Sequence, residues 1–365
     1  MRLKSIRNCR PGDILARSIY TETGMVLVGA GVVLTERMIA RLKKKNITSL
    51  YIEDERTNDI MVDTIISEET RREAMTLIHE TFRAAEGASP KKWQHVFSDK
   101  LLGSQLRQVM TAIAGELKNS RSAMNLMADA CAYDNYIFTH SFNVALYSSA
   151  IALKTGFSEK EIVEIGIGGL LHDIGKTCVP DEILRKPGKL TAEEFALMKK
   201  HAEQGFEILR KQDDISLLIA HCAYQHHERW DGSGYPRALK AEEIHPFARL
   251  MAVADVFDAL TTHRVYRPSV LPHEAMEILY SGSNTMFDPT YVIAMRDTIA
   301  LYPIGLSVTL NTGEAGVVAE ANAGLPSRPT IRILTDENGR QVDKPYEYDL
   351  SKRLDLMIVA CDELV

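Results

Sequence analysis

Apolar residues recur with helical spacing from about residue 59 to residue 301, whereas both ends of the chain carry shorter alternating runs. At the N-terminal end the runs Ile14 to Tyr20 and Met25 to Val28 flank Thr23-Gly24, a hairpin-type turn signal. A helix is predicted to start near Thr35 and to end at Lys43-Lys44-Lys45-Asn46, where three lysines complement the helix dipole. Ile47 to Ile52 predicts a closing strand, so residues 1–58 read as a small α/β module, a candidate sensory or regulatory unit. Residues 59–126 are rich in Glu, Arg, Ala and Met and are interrupted once, at Glu86-Gly87-Ala88-Ser89-Pro90; they read as a helical connector. Such a segment commonly packs against a second copy or relays a signal, which makes it a candidate homodimer surface.

Residues 127–301 contain legible helix starts. Ser158-x-x-Glu161 and Thr191-x-x-Glu194 are capping boxes, and Asp288-Pro289 places proline at the first helical position after an N-cap. Loops fall at Lys186-Pro187-Gly188 and at Asp231-Gly232-Ser233-Gly234-Tyr235-Pro236, and the helical period throughout predicts an all-α bundle. Beyond Tyr302-Pro303 come short β-rich runs (Ser307 to Leu310, Gly316 to Val318, Thr330 to Leu334, Leu356 to Ala360), with Asn338-Gly339 the clearest turn. Residues 302–365 are expected to form a small β appendage of SH3-like size. The fold class is therefore mainly α: a helical bundle with a small N-terminal α/β module and a small C-terminal β appendage.

Composition narrows the function. The 365 residues carry 49 acidic and 43 basic side chains, a formal charge of −6, which disfavours coating a nucleic-acid backbone while leaving small anionic ligands open. Five scattered cysteines without a C-x-x-C pair suit a reducing compartment and offer no zinc-thiolate site. With no apolar leader and no stretch approaching 18 uncharged apolar residues, a soluble, cytoplasmic protein without membrane contact is expected.

Chemistry is concentrated in the bundle. His140, His172-Asp173, His201, His226-His227 and Asp255 each sit in an apolar helical context. Buried imidazoles and carboxylates cost several kcal/mol unless paired or bound to metal. Neighbours on a helix point about 100° apart, so His172 and Asp173 can serve adjacent metals rather than one. A bridging carboxylate holds two ions roughly 3.5–4 Å apart, where they clamp a displacement at phosphorus. All-imidazole and carboxylate ligands suit Fe, Mn, Zn or Ni rather than soft copper or Fe–S. His79, His95, His221, His245, His263 and His273 fall outside this pattern and read as structural.

His172-Asp173-Ile174-Gly175-Lys176 and the run His226-His227-Glu228-Arg229-Trp230-Asp231-Gly232-Ser233-Gly234-Tyr235-Pro236 resemble the HD-GYP family of HD-superfamily phosphohydrolases. The resemblance continues through Asp255-Val256-Phe257-Asp258-Ala259-Leu260 and Phe287-Asp288-Pro289, covering roughly residues 125–300. It implies an HD-type bundle that hydrolyses cyclic di-GMP to linear pGpG, with onward cutting to GMP a further possibility, through a hydroxide bridging two divalent metals. Fe or Mn are the foremost candidates, followed by Zn, Ni or Mg. The implied ligands are His140, His172, Asp173, His201, His226, His227 and Asp255. Asp173 is implied as the bridge, and Lys176 as a phosphate contact and proton donor. Asp258, Arg264 and Arg267 are implied to form a substrate-phosphate group, in which the aspartate orients an arginine. Tyr235 and Pro236 offer a rigid surface lining the nucleotide pocket, and Asp231 is expected to cap that turn.

In some family members a glutamate four residues before the first histidine ligand helps to bind a third metal. Tyr136 occupies that position here, which favours two metals and pGpG as the product. Hydrolysis of a related cyclic dinucleotide such as cyclic GMP-AMP is one alternative, because metal ligands do not choose the base. A non-catalytic cyclic di-GMP receptor acting through protein partners is another. A diguanylate cyclase or other signalling protein is a candidate partner.

Overall fold

The computed structural model describes residues 1–20, 26–45, 47, 49–62, 65–86, 102–119, 136–186, 188–262, 270–322 and 325–361. Among these are eleven α-helices and nine strands, with the helices gathered in the middle of the chain. The architecture is mainly α, as the hydrophobic periods predict.

Near the N-terminus, β1 (Arg2–Ser5) pairs antiparallel with β4 (Ser49–Ile52), and β2 (Ile19–Tyr20) with β3 (Val26–Val28). The expected Thr23-Gly24 turn between β2 and β3 lies outside the described residues. Helix α1 (Glu36–Lys44) starts where expected, because the Thr35 hydroxyl accepts from the Met38 amide at 3.2 Å.

Helices α2 (Glu68–Ala85) and α3 (Leu102–Asn119) lie in the stretch that composition marks as a helical connector. Their apolar faces enter the same core as the bundle: Ile78, Leu106 and Met110 are wholly buried in one cluster with Ala145, Leu170 and Phe257. The periodicity shows that these helices have an apolar face but not what it packs against.

The bundle continues with α4 (Tyr136–Lys154), α5 (Glu159–Leu171), α6 (Asp181–Leu184), α7 (Ala192–Leu209), α8 (Leu217–Gln225), α9 (Pro246–Thr261), α10 (Pro272–Ser281) and α11 (Pro289–Thr298). Reciprocal capping boxes at Ser158/Glu161 and Thr191/Glu194 start α5 and α7. The Asp288 carboxylate accepts from the Thr290 amide at 2.9 Å to start α11. No helix among the described residues is long and apolar enough to cross a membrane.

The C-terminal strands β5 (Ser307–Leu310), β6 (Ala315–Glu320), β7 (Thr330–Thr335), β8 (Gln341–Asp349) and β9 (Ile358–Cys361) form one antiparallel sheet in the order β8-β7-β6-β5-β9. At the Asn338-Gly339 turn, Gly339 adopts φ 74° and the Asp336 carboxylate accepts from the Asn338 and Arg340 amides. This sheet packs on the N-terminal module. The Leu3 amide donates to the Gly305 carbonyl at 2.8 Å, and Leu3, Tyr51 and Val62 share a core with Leu306, Val308 and Ile331. Arg332 on β7 clamps Asp59 at 2.5 Å and Glu347 at 2.7 Å.

Two close approaches position the site. A Cβ added at Gly169 of α5 would lie 2.6 Å from the Ala145 Cα on α4. One added at Gly175, in the 3-10 turn Ile174–Cys178, would lie 1.9 Å from the His201 carbonyl oxygen and 2.5 Å from the Gly205 nitrogen on α7. Backbone cannot yield as a flexible side chain does, so Gly175→Ala is expected to cost about 1–3 kcal/mol or more of folding stability. Chemical denaturation measures this, and an unchanged midpoint would contradict the packing described.

Candidate metal centre

The site is built where helices end. α5 stops at Leu171, which places His172 at its C-cap and Asp173 at the head of the 3-10 turn. α8 stops at Gln225, leaving His226 at its C-cap and His227 next to it. His140 lies on α4, His201 on α7 and Asp255 on α9.

Four imidazoles are oriented through the same ring nitrogen. Nδ1 of His172 donates to the Gly169 carbonyl at 2.8 Å, that of His201 to Met198 at 2.7 Å, and that of His226 to Ala223 at 3.0 Å. His140 Nδ1 donates to the Asp258 carboxylate at 2.7 Å. A carbonyl can only accept, so the proton belongs on Nδ1 and the Nε2 lone pair is left for the interior.

Asp173 lies in the middle. Its Oδ1 is 3.5 Å from His201 Nε2 and 3.8 Å from His226 Nε2. Its Oδ2 is 3.4 Å from His172 Nε2, 3.7 Å from His140 Nε2 and 2.5 Å from the Lys176 ammonium. Asp255 reaches His140 Nε2 at 3.2 Å through Oδ1 and His227 Nδ1 at 3.9 Å through Oδ2. The ligand atoms fall into two groups, Asp173 with His201, His226 and His227, and His140 with His172 and Asp255. All seven residues that the sequence pattern singles out are thus brought together.

Among the described residues, His172 Nε2 and Asp173 Oδ1 are buried without a hydrogen-bond partner. Leaving such atoms unsatisfied is costly, and a divalent cation accepting their lone pairs removes the cost. The imidazole and carboxylate donor set fits such a cation. Charge states agree in part. Burial pushes the Asp173 carboxyl up, but Lys176 and the neighbouring histidines outweigh it and hold it well below the usual carboxylate range. Asp255 is held low in the same way by His140. Burial, reinforced by the charges of His172 and His201, pushes His226 down to about 3, and burial also lowers His201 and His227. These are the ionised carboxylates and neutral imidazoles that metal binding requires. His140 differs: burial pushes it down, but Asp255 and Asp258 outweigh this and raise it to about 9. A cation taking its Nε2 must displace a proton.

Other sequence-predicted residues separate into three cases. Tyr235 is half-buried with its ring 4.7 Å from that of His227, and Pro236 is half-buried beside it. The Asp231 carboxylate accepts from the Ser233 amide at 2.8 Å and so caps the turn. Arg264 and Arg267 lie outside the described residues, as does the side chain of Tyr136. Asp258 lies behind His140. It is 0% exposed, and its carboxylate accepts from His140, from Asn143 Nδ2 at 2.8 Å and from the Thr262 hydroxyl at 3.1 Å. It therefore supports a candidate metal ligand from behind. Helical spacing puts Asp255 and Asp258 on one face, but Asp258 lies deeper.

Two contributors were not anticipated. Asn143 shares the Asp258 carboxylate with His140, its only sequence signal being its place one turn after His140. Glu228 is buried and accepts from the Arg237 amide at 2.8 Å and the Leu239 amide at 3.0 Å, anchoring the loop that carries Tyr235. A carboxylate directly following two histidines was its signal.

Residues 114–291 match the HD domain family, and residues 307–364 match the KOW domain associated with HD domain. A cyclic di-GMP phosphodiesterase of Pseudomonas aeruginosa is 38% identical over 200 residues, covering 55% of this chain and 48% of that protein. A 3'3'-cGAMP-specific phosphodiesterase of Vibrio cholerae is 42% identical over 154 residues, covering 42% of this chain and 30% of that protein. The chain thus spans about half or less of the length of these curated relatives. A solved HDG"Y"P protein from Bdellovibrio bacteriovorus shares the fold, with a TM-score of 0.50 at 19% identity over 81% of this chain and 98% of that one.

Because Asp258 fixes the ring and tautomer of His140, Asp258→Ala is expected to weaken metal binding about 10–100-fold. Competition against a chelator of known affinity measures this, and wild-type affinity would contradict the role.

Proposed function

We propose that this chain, whose residues 114–291 match the HD domain family and which is 38% identical over 200 residues to a cyclic di-GMP phosphodiesterase, is a metal-dependent phosphodiesterase of the HD-GYP type that opens cyclic di-GMP to linear pGpG. The observation that carries the reading is Asp173, a buried carboxylate with one oxygen toward each of two ligand groups. That arrangement supports a centre in which Asp173 and the two ligand groups would hold two divalent cations, with Fe or Mn foremost. When bound, such ions supply Lewis acidity toward phosphoryl oxygens and acidify water, so that phosphodiester hydrolysis proceeds at neutral pH.

The protein's own groups do the remaining work. His140, His172, His201, His226, His227 and Asp255 hold the ions. Lys176, at the edge of the centre beside Asp173, stabilises charge growing on the phosphoryl group and delivers a proton to the departing 3′ oxygen. Tyr235 and Pro236 line the nucleotide pocket, and Arg264 and Arg267 grip the phosphate that is not cut. With Tyr136 in place of a glutamate, the reaction stops at pGpG. The N-terminal module is a sensory or regulatory unit, and the protein acts in the cytoplasm.

Hydrolysis of cyclic GMP-AMP is a second reading, favoured by the similarity to the Vibrio cholerae enzyme. Side-by-side kcat/KM values for the two dinucleotides separate them.

Protein loaded anaerobically with Fe(II) or Mn(II) is expected to convert cyclic di-GMP to pGpG without rapid stoichiometric GMP. His172→Ala with Asp173→Ala is expected to abolish turnover and metal retention while the helical circular-dichroism signal persists. Tight binding of cyclic di-GMP without turnover by the loaded wild type would replace the enzyme reading with that of a receptor. Rapid release of GMP would overturn the product assignment.

A further inference from the structure

Outside the ligand set, the helix that carries His201 presents two further side chains beside the centre. Phe195 is 48% exposed, large and apolar, with its ring 6.4 Å from that of Tyr235 and nearly perpendicular to it. The half-buried Lys199 holds its ammonium 5.3 Å from the Phe195 ring centre and 5.7 Å from that of Tyr235. Tyr235 in turn stands 4.7 Å from the His227 ring and 6.5 Å from the His201 ring. An aromatic path therefore runs outward from two candidate metal ligands, through Tyr235, to an exposed phenyl ring with a cation at the junction.

That combination suits a purine. An aromatic face stacks any base, while an ammonium beside it distinguishes the edges: guanine presents two acceptors, O6 and N7, whereas adenine places an amino donor where guanine has O6. A lone exposed phenylalanine would need no explanation. Here the ring lies one aromatic contact from the metal centre, with Lys199 held over both faces.

We propose that Phe195 and Lys199 form the base-recognition ledge of this site, Phe195 stacking one purine of the cyclic dinucleotide and Lys199 selecting guanine by donating to its O6 and N7. The inference rests on the cyclic-dinucleotide reading above and deepens it by assigning base choice to named residues.

The test measures Kd and kcat/KM for cyclic di-GMP and cyclic di-AMP on the metal-loaded full chain. Phe195→Ala is expected to raise Kd for both dinucleotides about tenfold, and Phe195→Trp to restore binding. Lys199→Ala is expected to shrink the preference for cyclic di-GMP over cyclic di-AMP about tenfold, through Kd and KM rather than kcat. An unchanged preference in Lys199→Ala, or unchanged Kd in Phe195→Ala, overturns the ledge while leaving the phosphodiesterase reading intact. If the wild type binds without turnover, the enzyme reading fails and the Kd ratios still decide the ledge. If it neither binds nor cleaves either dinucleotide, both are overturned.

Discussion

A carboxylate enclosed by protein is unfavourable unless both of its oxygens find positive charge or donors, and Asp173 is enclosed on every side. Meeting that requirement from two directions sets the terms for the surrounding helices. α5 has to end at Leu171 so that Asp173 projects inward. α7 and α8 bring His201 and His226 to one oxygen, while α4 brings His140 to the other, where His172 also lies. The absence of a side chain at Gly175 lets the turn bearing Asp173 lie directly on the backbone of α7. Lys176 meets part of the requirement from within the same turn, yet Oδ1 has no hydrogen-bond partner among the described residues, and that remaining demand is the strongest physical argument for a cation.

The second tier of contacts gives the centre its directionality. Backbone carbonyls of Gly169, Met198 and Ala223 take the outer nitrogens of three histidines, and Asp258 takes that of the fourth. Helix geometry supplies the carbonyl contacts, because a histidine in the last turn or interior of a helix finds the carbonyl three residues back. His140 is held instead by a carboxylate, and Asp255 together with Asp258 accounts for its high proton affinity, whereas burial keeps that of His226 low. Glu228 anchors the loop that places Tyr235 over His227.

Much of this was legible in the chain because the relevant signals are local. Capping boxes at Ser158 and Thr191, proline after Asp288 and the Asn338-Gly339 turn announce themselves within four residues. The candidate ligands stand out because histidine and aspartate in apolar helical contexts are hard to explain by packing. What could not be read is what depends on depth and on distant partners. The spacing of Asp255 and Asp258 fixes a common helix face without showing that the second is sealed behind His140. The amphipathic pattern of α2 and α3 does not reveal that they dock in the bundle core, where α2 also touches the turn carrying Lys176. Likewise, nothing local in Arg2 or Leu3 indicates that the first strand meets the C-terminal sheet through Ser307 and Gly305.

The proposed chemistry depends on Asp173 standing between two cations. A crystal structure of the manganese-loaded protein, with anomalous scattering recorded at the manganese edge, tests this most directly. Two anomalous peaks are expected, one beside His201 and His226 and one beside His140 and His172, each bound by a different oxygen of Asp173. A single peak, or two peaks with Asp173 bound to neither, would contradict it.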